Sequence, residues 1–502
     1  MDIEAIPGVG AKTAEALREL DAPERALREG DVAAIAQAPG ISDGRAARIA
    51  RAAIRETHDD PGGFAATDRA RELHDAALDL LQDRTVTDYA ARRLETLYPS
   101  GRESRIEEVR DFAERAMARD PDPEALEALA DVAPLREPSD VRVRDRALAT
   151  GDAETYAAAR EALPEVSVEL VDDARQLAEL ARGYATVVAL DEAFAGVDVE
   201  GDVRVEPDAL EDPVTVVPER ALAFFAANRE SIRAAIRVHE AADLDAPTDL
   251  ASLADALGRL DDDGPPRGDE ELARLRTAVD DLDAAVGVAE SVANDRLREA
   301  IAERDVTIEG QDLLSLVEQG AGADSLLRRE LADEFDAAVE AAREHLVDAL
   351  QLEDHADRGR QVFGEDPTFP VERDEDALGR LRDGLTAARD RRAAALKREL
   401  AADLADERDA VRELVSDALE LDVELAVARF ATDFACTMPD FGGEGVTIEG
   451  GRSPLLDVAD VEPVDYEATG VRLLSGVNSG GKTSLLDLVG LVVTLAHMGL
   501  PV

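Results

Sequence analysis

Gly476-Val477-Asn478-Ser479-Gly480-Gly481-Lys482-Thr483 fits the pattern G-x-x-x-x-G-K-[ST], a loop whose backbone N–H groups wrap the phosphates of a nucleotide. Ahead of it Val471, Leu473 and Leu474 form a short apolar run that predicts a buried strand, and 484–498 behind it predicts a helix. Strand, glycine loop and helix in that order aim the positive end of the helix dipole at the phosphates. Lys482 is then placed to reach the β/γ-phosphates, and the Thr483 hydroxyl to ligate Mg²⁺. A glycine turn between two buried elements is the alternative. It sits poorly with a chain whose only lysines are Lys12, Lys397 and Lys482 amid abundant arginine.

The 502 residues suffice for about three to five domains. The net charge of −56, from 112 acids and 56 bases, would ordinarily argue against nucleic acid or for disorder. Apolar residues nonetheless make up 45% of the chain, with helical periodicity nearly throughout. Acids spread over every segment, with arginine in place of lysine, point to a salt-loving archaeon. In molar salt the Debye length is about 3 Å, so distant surface acids do not forbid local DNA contact. Cys436 alone excludes a disulfide framework and suits a reducing cytoplasm. Met1-Asp2-Ile3-Glu4 lacks the basic and apolar regions of a signal peptide. The longest apolar run, 485–502, contains Asp487 and His497 and reads as a core helix instead of a membrane span.

Residues 1–58 contain an internal repeat. Gly8-Val9-Gly10-Ala11-Lys12-Thr13-Ala14-Glu15-Ala16-Leu17 returns 32 positions later as Gly40-Ile41-Ser42-Asp43-Gly44-Arg45-Ala46-Ala47-Arg48-Ile49. Each copy sets a Pro-Gly turn before a helix. The pattern resembles the tandem helix-hairpin-helix module, which grips the DNA backbone without reading sequence. Glycines let main chain approach a phosphate, and N–H groups at a helix start supply donors. The candidate DNA contacts are Gly8, Gly10, Lys12, Gly40, Arg45 and Arg48, with Arg45 and Arg48 standing in for the lysine that the second copy lacks. A purely structural or protein-binding helical hairpin is the alternative.

Beyond a linker at His58-Asp59-Asp60-Pro61-Gly62-Gly63, residues 64–163 read as helical, with stripes Leu73/Ala77/Leu80/Leu81 and Ile106/Val109/Phe112/Ala113/Ala116. Short β-branched runs at 166–171, 186–190, 197–205 and 214–217 predict a small α/β or hairpin unit near 164–218. Further helices are expected at 272–304 and 326–352, with short strand-like or irregular pieces at 306–310 and 361–371. One long helical tract over 374–431 follows, with Leu381, Leu385, Leu396, Leu400, Leu404, Val411, Val415 and Leu419 at core spacing. Asp261-Asp262-Asp263 beside Gly264-Pro265-Pro266 reads as a solvated loop, and six scattered histidines give no metal spacing. Phe112 and Phe363 each open a Phe-x-Glu triplet of the kind that can wedge beside a mispaired base. Phe112 lies on a helix stripe, and neither triplet has a mixed α/β domain around it.

Glu420-Leu421-Asp422-Val423-Glu424-Leu425-Ala426-Val427-Ala428-Arg429-Phe430-Ala431 resembles the helix that joins the long lever of MutS-type proteins to their ATPase. Glu449-Gly450-Gly451-Arg452-Ser453-Pro454-Leu455-Leu456 is similar to that family's Gly-Arg-His-Pro segment, with Ser453 in place of histidine. The stretch 476–484 resembles its Gly-Pro-Asn-Met-x-Gly-Lys-Ser-Thr loop, with Val477 and Ser479 substituted and Asn478 kept. Together with the leading hairpins, these motifs suggest the archaeal, non-mismatch-specific branch.

The resemblance implies a mainly α chain. Its expected parts are a tandem helix-hairpin-helix at 1–58, a lever/core at 64–300 carrying the α/β insertion, and a clamp-like region at 301–372. Returning lever helices at 373–435 and the first part of an α/β P-loop ATPase domain at 436–502 complete it. ATP and Mg²⁺ are the expected cofactors, held by Gly476, Asn478, Gly480, Gly481, Lys482, Thr483 and Ser484, with Tyr466 the candidate to stack on adenine. Double-stranded DNA and a second copy of the chain are the expected partners, in the cytoplasm. The family's metal-positioning Asp-Glu strand, which phosphoryl transfer needs, does not occur before Val502. The sequence therefore reads as the N-terminal portion of a longer or split product. Two functions follow: an ATP-gated DNA clamp, or a DNA-tethering protein without hydrolysis.

Overall fold

A computed structural model describes residues 2–20, 22–138, 141–197, 201–261, 266–303, 332–364, 370–456, 461–475 and 481–502. The chain is mainly helical, with one small parallel sheet and one two-stranded ribbon. It divides into two compact units, one joining Met1–Asp140, Ala223–Leu257 and Leu404–Val502, the other Val141–Leu222 and Gly258–Asp403.

The first unit is built on the helix Arg408–Phe434, which buries Val411, Leu414, Val415, Ala418, Leu421 and Leu425 on several faces. A helix apolar nearly all round must be enclosed by others. Here the helices Asp68–Gln82, Asp88–Leu94, Glu103–Met117 and Arg229–Ala241 enclose it. Thr67 and Thr87 cap two of these, each accepting a hydrogen bond from the N–H three residues on. Leu73, Ala77 and Leu81 of the first expected stripe are buried, as are Ile106, Val109, Ala113 and Ala116 of the second. Phe112 is half-buried, while Phe363, in the second unit, is fully buried and so placed in a core instead of a wedge.

In the second unit β1 (Arg146–Thr150), β2 (Ser167–Leu170), β3 (Thr186–Ala189) and β4 (Asp202–Val205) form an all-parallel sheet in the order β2-β1-β3-β4. One of its two inner strands, β1, lies ahead of the stretch where strands were expected. Arg-Ala-Leu-Ala-Thr has alanine's helical preference, and only its place between β2 and β3 makes it a strand. Of residues 214–217, expected as a strand, 214–216 instead belong to the short helix Pro213–Val216, which Pro213 opens at its first position, and Val217 caps its end. A separate core of the same unit joins Leu282, Val286, Leu346, Phe363, Leu381 and Leu385. The pieces expected at 306–310 fall outside the described residues, as do 365–369 of the stretch 361–371. Asp261 pairs with Arg267 at 2.8 Å, whereas Asp262 and Asp263 are outside the described set.

Back in the first unit, Val446–Gly451 and Val464–Ala468 pair as an antiparallel ribbon with Ile448 opposite Tyr466. The helix Lys482–His497 lies against Asp68–Gln82. Gly490 permits that approach, since a Cβ there would stand 2.5 Å from Leu73 Cδ1. The strand expected at Val471–Leu474 is not present. Val471 and Leu473 are almost wholly exposed, at 101% and 94%. A buried strand exists only where neighbouring strands take its N–H and C=O groups, and no described residue does so here. Among the described residues no helix is long and apolar enough to cross a membrane.

Candidate functional site

The N-terminal repeat folds as two matching hairpins. The first runs from a short 3₁₀ turn, Ile3–Ala5, through Gly8 into α1 (Ala11–Arg18). After α2 (Pro23–Glu29), the second runs from α3 (Val32–Ala36) through Gly40 into α4 (Asp43–Thr57). Gly8 and Gly40 have φ of 88° and 77°, a region in which a Cβ is penalised. At each tip one amide reaches back three residues, Val9 N–H to Ile6 C=O at 3.0 Å and Ile41 N–H to Ala38 C=O at 3.1 Å. Val9 and Ile41 are buried, so the tips are pinned from below while the glycines beside them stay exposed.

Both following helices begin without a side-chain cap, Gly10 at φ −90°, ψ 170° and Ser42 at φ −86°, ψ 159°. Ser42 thus reproduces the backbone of Gly10. The first helical amides need an outside acceptor, and other helices of this chain supply one from Asp31, Asp122, Asp152, Asp173 or Asp269. At the hairpins no side chain does so. A Cβ added to Gly8, Gly10, Gly40 or Gly44 would meet nothing within 4 Å. Gly10, whose φ any residue accepts, therefore has no internal reason to lack a side chain.

The candidate cations divide. Lys12 is exposed in the first turn of α1. Arg45, 32 residues after Thr13 and so its counterpart, donates to the Thr13 hydroxyl at 2.7 Å. It is half-buried and serves as the strut between the two copies. Arg48 is exposed and donates to the Gly44 carbonyl at 3.2 Å. Asp43 opens α4 with a negative charge where α1 has Ala11, which favours the helix dipole and weakens the second hairpin as an anion site.

The module is fixed to its unit by polar contacts that sequence spacing did not reveal. Gln37 donates to Leu135 C=O at 3.3 Å. Outside the module, Tyr89 and Arg93 of the helix Asp88–Leu94 both bond Glu420 of the helix Arg408–Phe434, the latter at 3.1 Å. Burial and the Glu420 carboxylate push the Tyr89 phenol well above its usual range, so its hydroxyl stays a donor at neutral pH. His58, at the end of α4, lies 2.7 Å from Glu108.

Of the glycine loop, Gly476, Asn478 and Gly480 lie outside the described residues. Gly481 adopts φ 70° and stands immediately before the helix Lys482–His497, whose N-terminus has no side-chain cap. Lys482 and Ser484 are half-buried and Thr483 is exposed. Left-handed glycine, uncapped amides, lysine and threonine in succession fit a phosphate and a hard cation. Tyr466 lies half-buried on the ribbon. Among the described residues no group of three or more His, Cys, Asp or Glu could hold a metal.

Residues 1–54 match the family described as the SAM-like helix-hairpin-helix tandem. The chain is also similar to the DNA-binding protein MutS2 of Pyrococcus furiosus, 27% identical over 249 residues, which are 46% of this chain and 42% of that protein. It is similar to the endonuclease MutS2 of Clostridium botulinum, strain Langeland, 41% identical over 86 residues, 16% of this chain and 11% of that one. The endonuclease MutS2 of Acetivibrio thermocellus is 36% identical over 96 residues, 18% and 12% of the two chains. The chain thus matches less than half the length of these relatives.

Proposed function

We propose that this chain binds the backbone of double-stranded DNA without reading sequence and binds ATP at Gly476–Ser484, as a MutS-type protein of DNA repair or recombination. The observation that carries the DNA reading is the pair of uncapped helix starts, 32 residues apart, each following a left-handed glycine. Free amides at two such helix starts donate to phosphate oxygens and touch no base edge, which gives grip without sequence preference. The similarity to the DNA-binding protein MutS2 of Pyrococcus furiosus supports the reading.

For the nucleotide, Gly481, Lys482 and Thr483 hold the phosphates and Mg²⁺, and Tyr466 is the candidate for the adenine face. Bound ATP supplies the differential contacts that bias an open–closed equilibrium of a DNA clamp in a dimer. The two activities rest on different residues and are separable. Binding of a fluorescent ATP analogue and of a labelled duplex tests this. Lys482→Ala is expected to abolish nucleotide binding and keep the DNA, and Lys12→Ala to weaken the DNA and keep the nucleotide. A Lys482→Ala chain that binds the analogue like wild type contradicts the ATP site.

A further inference from the structure

α4 continues past the second hairpin with Arg48, Arg51 and Arg55, spaced i, i+3 and i+7 and therefore on one face. With two acids for every base in this chain, Arg18 and Arg25 of the module each find a carboxylate, Glu4 and Glu29, both at 3.0 Å. The three on α4 make no ion pair with any described carboxylate. Arg48 bonds only the Gly44 carbonyl. Arg55 lies over the Tyr98 ring, 4.5 Å from its centroid, with its Nε buried and unpartnered. Arg51 is half-buried. The acids facing it are Glu95, already bonded to Arg92 at 2.6 Å, and Asp75, beside His74 at 3.6 Å. Burial and the neighbouring Arg55 and Arg48 charges hold the Arg51 guanidinium below its usual range. Three adjacent cations with no carboxylate in direct ion pairing repel one another, and an anion placed among them reduces that cost.

We propose that Arg48, Arg51 and Arg55 carry the phosphate track of the hairpins onward along α4, so that one DNA strand is followed beyond the hairpin tips. The inference rests on the hairpins' binding the DNA backbone. Seven helical steps cover about 10.5 Å, which matches roughly three phosphates at 3.4 Å of axis per strand. A phosphodiester backbone suits the stripe because its charges recur at that interval. The side chains need no base edge, so the extended track adds grip and length of footprint without adding sequence preference.

Fluorescence anisotropy of a labelled 30-base-pair duplex with the full chain, over a series of salt concentrations, tests the track. Arg51→Ala is expected to lose affinity several-fold, with a plot of log K against log salt shallower by about 0.9. Arg51→Lys is expected to keep the wild-type slope, because a point charge suffices for a phosphate. Since Arg51 holds no internal partner, both variants should unfold at the wild-type temperature. Wild-type affinity and slope for Arg51→Ala, with weakened binding in Lys12→Ala, overturn the track and leave the hairpin reading standing. Wild-type binding by both variants overturns the two together.

Discussion

Asp422 is fully buried in the middle of the helix Arg408–Phe434. Its carboxylate accepts from Val86 N–H at 3.0 Å, Thr87 N–H at 2.6 Å and the Thr87 hydroxyl at 2.8 Å. That hydroxyl in turn accepts from Ala90 N–H at 3.1 Å, so a single acid sets the start of the helix Asp88–Leu94. Asp422→Ala leaves two amides and a hydroxyl without an acceptor in a dry site, at about 1–3 kcal/mol for each group that stays unsatisfied. We expect a loss of roughly 2–4 kcal/mol, read as a lowered denaturant midpoint with unchanged slope. A loss under about 0.5 kcal/mol, the range of an ordinary surface substitution, contradicts the role given to it. In the sequence Asp422 is one residue of a family-like helix. Its partners lie more than 330 positions away, and no local spacing announces them. Arg51 is inconspicuous in the sequence for a similar reason: its lack of an ion pair is visible only once the acids around it are placed.

At the scale of elements, the hairpins separate two kinds of glycine. Gly40 is required by its φ of 77°, and no neighbour stands where its Cβ would go. Gly40→Ala should therefore cost only the backbone penalty, about 1–2 kcal/mol. Gly10, at φ −90° and equally open, should accept alanine with no loss of stability, as Ser42 does in the second copy, yet bind duplex DNA more weakly. Thermal unfolding and DNA titration of the two variants check the contrast. A Gly10→Ala chain destabilised as much as Gly40→Ala would mean that Gly10 serves the fold and not a ligand. The repeat was legible because turn glycines and buried tip residues recur at fixed positions. Local preference misled elsewhere. Arg146–Thr150 looks helical and is an inner strand of a parallel sheet, while Val471–Leu474 looks like a buried strand and is exposed. Strands depend on neighbours, and neighbours are not written in a five-residue window.

For the whole molecule, the net charge of −56 is the main obstacle to a DNA-binding reading, which rests on the placement of individual groups and not on net charge. The cations of the proposed contact, Lys12 and those of α4, share one small module whose amides add donors that no sequence charge count includes. Mainly helical architecture and the leading tandem were readable from periodicity and repeat. The division into two units, built from discontinuous stretches of chain, was not, because composition shifts mark neighbours in sequence and not in space. The central claim is that these hairpins hold the phosphate backbone. It is tested most directly by titrating the full chain and its Lys12→Ala variant with two duplexes of unrelated sequence at several salt concentrations. The account predicts equal wild-type affinities for the two duplexes, falling linearly in log–log form with salt, and a slope shallower by about 0.9 in the variant. Binding that prefers one sequence, or a variant with the wild-type slope and affinity, contradicts it.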